Sequence, residues 1–250
     1  MTVLSLDIYN WMMGTLLASV RILPSFLMLP FLSNSVVTGV FKFPLVFLMA
    51  IALGPLEGQN AIAVLSISTM AGLLCKEAVI GGVIALFLCF PFWVMHATGS
   101  LIDNQRGATI SSTLSPLSGL DTSELANFFQ MTAVALILQA GGMNIFIAML
   151  HQSYQLFTPL SFSLPDLTEV MFLLGRLTAE SFRFASPVVT IFLVTELLLG
   201  LLARYTPQLN PFSIALTIKS LVGFLVLLVY FSPILPDEVL KLQLPVLHGL

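Results

Sequence analysis

The residues most able to do chemistry are three histidines, two cysteines and a thin scatter of charges. His96 and Asp103 stand seven apart, on one face if a helix carries both, and His151 lies two residues before Ser153. A hydrolase or an ion-coupling site is the first reading such residues invite, and it needs a nucleophile or proton carrier flanked by a base and an orienting group. No Gly-x-Ser-x-Gly, His-Glu-x-x-His or Gly-x-x-x-x-Gly-Lys pattern occurs. Three isolated histidines, the last at His248, make no catalytic set, so the sequence predicts no enzyme and no cofactor. Cys75 and Cys89 lie in apolar surroundings without a neighbouring His or carboxylate cluster, and they read as small hydrophobes.

The charges are more informative. Arg176, Glu180 and Arg183 fall four and three apart inside a long apolar stretch, a cation, anion, cation ladder able to pair along one helix face. An Arg, Lys or Asp at the centre of a membrane helix costs about 2.5 to 3.5 kcal/mol, and each large apolar residue returns only about 0.3 to 0.6. Counting Glu like Asp, the trio costs roughly 8 to 10 kcal/mol, more than the roughly one dozen apolar residues between 170 and 195 offset. This helix is not expected to face lipid alone. The ladder is either an ion network between packed elements or the polar wall of a water-filled conduit. Lys76, Glu77, Glu196, Arg204 and Lys219 join Arg176, Glu180 and Arg183 as candidate intramembrane or subunit-contact charges.

The elements that must hold these residues follow from composition. Of 250 residues, 58% are hydrophobic and 8% charged, against about 25% charged in ordinary soluble domains. Mean hydropathy is +1.02. Twenty Phe and eleven Met add to an apolar surface larger than one buried core hides, so lipid or other apolar chains must cover the rest. The net charge of -3 is spread without runs of either sign, which argues against nucleic acid as a partner. The first apolar stretch lacks a basic leader and is expected to be retained.

A helix needs about 20 apolar residues to span a bilayer. Candidate spans are residues 8–32, 40–56, 61–75, 78–102, 125–150, 169–203 and 212–235, with Lys76 and Glu77 dividing the third from the fourth; six crossings are as defensible as seven. In the fourth, Gly81, Ala85 and Cys89 recur every four residues, a smooth stripe that predicts close helix packing. Two longer loops are expected, at 103–124 and 151–168. The first is small and polar, with Gly107, Ser111, Ser112, Pro116 and Gly119, and is either an ordinary exposed turn or a segment folded into a narrow space. Broken helices and intramembrane charges also suit a solute transporter, although no internal repeat with paired interruptions is visible. A membrane scaffold without a conduit is the other alternative. Lys and Arg are too few to set orientation by the positive-inside rule.

At the first loop the sequence reads Pro91-Phe92-Trp93, then Gly99, then Ile102-Asp103-Asn104-Gln105-Arg106-Gly107-Ala108-Thr109. Elsewhere it has Arg21 with Pro24 and Pro30, Lys76-Glu77 followed by Gly81, Gly141-Gly142, and Ser153-Tyr154. The C-terminal third has Glu196, Gly200, Arg204, Pro207-Gln208-Leu209-Asn210-x-Phe212 and Lys219. In order and spacing, over nearly the whole chain, these resemble the FliR/SctT family of type III secretion export proteins, which includes SpaR and YscT. The Asp-x-x-Arg-Gly form at 103–107 resembles the injectisome branch, of virulence or symbiosis systems, more than the flagellar one. Pro211 departs from the pattern and favours a helix start there.

The resemblance implies an all-α, polytopic membrane protein with broken helical hairpins, a single export-gate domain over 1–250, in the bacterial inner membrane within the secretion base. It implies a pore or gate subunit that passes unfolded secreted proteins. The partners implied are SctR/FliP-like and SctS/FliQ-like subunits and a SctU/FlhB-like switch protein, with membrane lipid around the complex. A loop between two central helices plugs the closed pore in such proteins. Here it maps to Gly107–Thr122, with Asp103 and Arg106 at its entrance and Ser111, Ser112, Pro116 and Gly119 along it.

Overall fold

The computed structural model describes residues 2–32, 38–53, 66–107, 123–206 and 211–242, and every regular element among them is helical. The helices are α1 (Thr2–Met28, followed by a 3-10 turn at Pro30–Leu32), α2 (Gly39–Leu53), α3 (Ile67–Arg106), α4 (Glu124–Gln139) and α5 (Gly142–Leu156). Then come α6 (Leu167–Tyr205), α7 (Pro211–Val226), a π-helical segment at Leu227–Phe231, and α8 (Ser232–Lys241).

Composition dictates this outcome. Long Leu, Ile, Val, Phe and Ala runs with no water to satisfy their backbone leave the helix as the economical way to pair every N–H and C=O. Among the described residues four helices are long and apolar enough to cross a membrane, and a fifth span results if α4 and α5 are one broken crossing. They are not equally covered. The apolar window of α3 is 72% buried within the chain, whereas those of α6 and of Ile214–Lys241 are 17% buried. The apolar faces of α6 and α7, among them Phe172, Phe182, Leu197, Leu201, Leu221 and Leu225, are left for lipid or other chains to cover.

The spans differ from the expected ones in three places, the first being 40–56, where the 15 residues of α2 fall short of the roughly 20 that a crossing needs. No break separates 61–75 from 78–102 where the structure describes them: α3 runs unbroken through Lys76 and Glu77. Both side chains are buried in ion pairs and hydrogen bonds to carbonyls, so neither charge has to leave the helix for water. At about 1.5 Å per residue, its 40 residues make about 60 Å of helix, twice a hydrocarbon core of about 30 Å. The stretch 125–150 is broken instead, because Gly141 takes φ 87°, a left-handed conformation that side chains resist, and α5 restarts at Gly142. Pro211 opens α7 as expected, its missing N–H costing nothing in a first turn.

The chain forms two compact units. The first comprises Met1–Phe90 and Gly141–Leu173, and the second comprises Pro91–Ala140 and Leu174–Leu244. In the first, α1 packs on α2 and both line a core of Leu17, Ile22, Phe26, Ile84, Phe146 and Leu150. Asp166 starts α6 by accepting the Thr168 N–H and hydroxyl, which hold its carboxyl below the usual carboxylate range. In the second, Phe129 of α4 stacks on Phe231 at 5.0 Å between ring centres, and Gly223 lets α7 close on Phe192 of α6.

Candidate functional site: two anchors on the central helix

In the first unit the anchor is built where α1 meets α3. The stripe of Gly81, Ala85 and Cys89 is packed as its spacing predicts: Ala85 and Cys89 are buried, and a Cβ at Gly81 would stand 2.1 Å from the Arg21 carbonyl oxygen. Backbone contact that close is possible only for glycine. It sets the Arg21 side chain one turn along α3, opposite Glu77.

Arg21 and Glu77 are both 0% exposed. Arg21 Nε donates to Glu77 Oε2 at 2.5 Å and Nη2 to Oε1 at 2.9 Å, a two-point fork. Nη1 donates to the Ser153 carbonyl at 2.8 Å and hydroxyl at 3.4 Å, and Nη2 also to the Phe157 carbonyl at 2.7 Å. The Tyr154 ring lies under the guanidinium at 4.3 Å, and the Tyr154 hydroxyl donates to the Ala18 carbonyl of α1 at 2.9 Å. Lys76 pairs with Glu77 Oε1 at 2.8 Å and donates to the carbonyls of Thr158, Pro159 and Ser161 at 2.8 to 2.9 Å.

The chemistry follows from the bookkeeping of donors. A helix ends with orphan carbonyls and a partial negative charge, and the chain after α5 continues as irregular backbone. Two cations supply the donors that end lacks, and one carboxylate offsets part of their charge. Each N–H of Arg21 is engaged, so the cluster has none to offer a substrate. It is an anchor that binds α1, α3 and the segment after α5 into one piece.

In the second unit the same device recurs at the far end of α3. Gly99 meets the first turn of α4, where a Cβ would lie 2.5 Å from the Ala126 Cα. One turn on, buried Asp103 accepts the Ser123 hydroxyl at 2.6 Å and the Leu125 N–H at 3.1 Å, and pairs with Arg106 Nη2 at 2.8 Å. Ser123 caps α4 through the Ala126 N–H at 3.1 Å. Gly107 closes α3 at φ 84°, its N–H returning to the Asp103 and Asn104 carbonyls. The two ends of segment 107–123 are thus held beside one carboxylate. Ser123→Ala should lower stability by about 1 to 2 kcal/mol, since a cap is lost and Asp103 loses a donor; the melting temperature of the purified assembly checks it.

The remaining charges group as follows. Glu180 pairs with Arg183 at 2.9 Å, as their spacing predicts, and Arg183 also pairs with Glu238 of α8, which Lys241 joins at 2.7 Å. Arg176 lies half-buried on the same helix. Lys219 pairs with Glu196 at 3.0 Å and reaches the Gln105 carbonyl, and Arg204 lies exposed in the last turn of α6. Ser111, Ser112, Pro116 and Gly119, with the rest of 108–122, lie outside the described residues, as do Pro207–Asn210. Arg21, Ser153 and Tyr154, which the sequence offered only as motif members, are the core of the first anchor.

A chain whose described elements are all helical, several of them of bilayer length, and whose buried Arg21, Lys76, Glu77 and Asp103 join separate elements, is a polytopic membrane protein. Residues 12–241 match the family model described as bacterial export proteins, family 1, and the chain belongs to that family. It is 41% identical over 237 residues to surface presentation of antigens protein SpaR of Salmonella typhimurium, covering 95% of this chain and 90% of the relative. It is 28% identical to Yop proteins translocation protein T of Yersinia pestis, over 84% of this chain and 82% of the relative. Flagellar biosynthetic protein FliR of Bacillus subtilis is more distant, at 26% over 88% and 86%. The family expected from the motifs is therefore the right one, on its injectisome side. The chain is a multi-pass inner-membrane component of a type III secretion export apparatus.

Proposed function

We propose that this chain is a gate subunit of the export apparatus, passing unfolded proteins across the inner membrane, with residues 107–122 as the plug of the closed channel. Its action is conformational and involves no catalytic step. SctR/FliP-like and SctS/FliQ-like subunits complete the conduit and an SctU/FlhB-like protein adjoins it, in line with the apolar faces of α6 and α7 that the chain itself leaves uncovered.

The observation that carries this reading is the pinning of both loop ends at Asp103. Fifteen residues separate Gly107 from Ser123, enough chain to go about 25 Å out and back, and both ends of that stretch are fixed to the most buried of the bilayer-length helices among the described residues. Such a loop can obstruct a channel and yield without disturbing the helices that carry it. Deleting residues between Ser111 and Gly119 should leave assembly intact and let ions leak across the inner membrane. Arg106→Ala, which loosens the base, should leak less. Cell conductance and small-molecule leakage are the readouts; wild-type permeability in an assembled deletion variant refutes the plug.

A further inference from the structure

The second unit contains an apolar groove of about 580 Å³, within the range of ligand sites, about 300 to 1,000 Å³. Phe128, Phe129 and Leu136 of α4 line one side, and Leu228, Phe231 and Leu235 line the other. The π-helical segment Leu227–Phe231 contributes to that second wall, and π turns are rare and concentrate at functional sites. From Glu124 to Leu136, α4 rises about 18 Å, comparable to one leaflet of a hydrocarbon core of about 30 Å.

Charge lies at one end only, where α3 stops and α4 starts, and it is of both signs. Arg106 pairs through Nη2 with Asp103, and its side chain, 22% exposed, lines that end of the groove. Glu124, exposed at the first turn of α4, has no cationic partner among the described residues. A wholly anionic headgroup would meet the Glu124 carboxylate, and a cationic one would forgo Arg106. A headgroup carrying a phosphate beside a primary ammonium satisfies both.

We propose that this groove holds one phospholipid with an ethanolamine headgroup. An acyl chain lies between α4 and the π segment, the phosphate faces Arg106 and the ammonium faces Glu124. The lipid completes a wall that the protein leaves open at exposed Phe128 and Leu228.

The test uses the assembled export complex purified in mild detergent, with retained phospholipids extracted and quantified against the bulk membrane, then repeated after exchange into phosphatidylethanolamine or phosphatidylglycerol. Wild type should retain phosphatidylethanolamine in excess of its bulk share. Leu228→Trp, at an exposed position where folding is not at stake, should fill the groove and abolish the excess. Glu124→Gln should keep a phospholipid but reduce the preference for phosphatidylethanolamine by about tenfold, the worth of one charge-assisted hydrogen bond. Retained lipid that mirrors the bulk membrane, or unchanged retention in Leu228→Trp, overturns the proposal. So does efficient crosslinking of a cysteine at 228 to another subunit, which would put a partner helix in the groove.

Discussion

Glu77→Gln should nearly abolish the assembled protein while leaving synthesis intact. Glu77 is the only carboxylate in contact with either Arg21 or Lys76 among the described residues, and all three are buried. Removing its charge strands two cations in a low-dielectric interior, and breaking one partner out of a buried ion pair costs about 3 to 5 kcal/mol. Domains are stable by only about 5 to 15 kcal/mol, so about a third or more of a typical margin goes, before the packing of α1 on α3 that the pair holds is counted. Arg21→Met with Glu77→Leu should lose less than the sum of the single changes, because residues in direct contact are not additive. The contrast with Glu180→Gln is diagnostic, since Glu180 pairs with Arg183, which Glu238 also neutralises, and neither Glu180 nor Arg183 is sealed inside the chain as Glu77 is. Native gels of membrane extracts measure both; Glu77→Gln assembling like Glu180→Gln would mean the anchor is ornamental.

Gly81→Ala should be as damaging, and Gly82→Ala harmless. The two glycines are adjacent on α3, both mid-helix, where alanine is favoured over glycine by about 1 kcal/mol. At Gly82 nothing lies within 4 Å of a Cβ, so that preference should show as unchanged or slightly raised stability. At Gly81 the methyl meets the carbonyl oxygen of Arg21 at 2.1 Å, and backbone in a packed helix cannot swing aside as a side chain would. Either α1 shifts and the guanidinium leaves Glu77, or the protein fails to fold. Secretion and assembly of the paired variants read the outcome, and equal behaviour of the two would contradict the close approach of α1 to α3.

How much of this was legible in the sequence depends on the range of each interaction. Pairs three apart on one helix, Glu180 with Arg183 and Asp103 with Arg106, were readable because helical spacing alone brings them together. The stripe from Gly81 to Cys89 announced close packing for the same reason. Lys76 and Glu77 were misplaced as a boundary between spans, because insertion costs assume a helix facing lipid, and here both are covered by Arg21 and by loop carbonyls. Arg21 to Ser153 spans 132 residues, and no periodicity encodes a contact of that range. The same holds for Glu238, which extends the network on α6 from a different helix. What the resemblance contributed was the set of participants, since Arg21, Glu77, Gly81, Ser153 and Tyr154 are all motif residues and meet at one point. The break at Gly141 needed the backbone angle itself.

The gate reading is tested most directly by a photo-crosslinking amino acid at Ser112 in an otherwise wild-type assembled apparatus, with a secreted protein stalled during export. A plug beside the path predicts crosslinks from position 112 to the stalled substrate, absent when no substrate is engaged and absent from an exposed control such as Leu197 on α6. Crosslinks from Ser112 to lipid alone, with the substrate demonstrably stalled in the same complexes, would place the loop away from the channel and contradict the account.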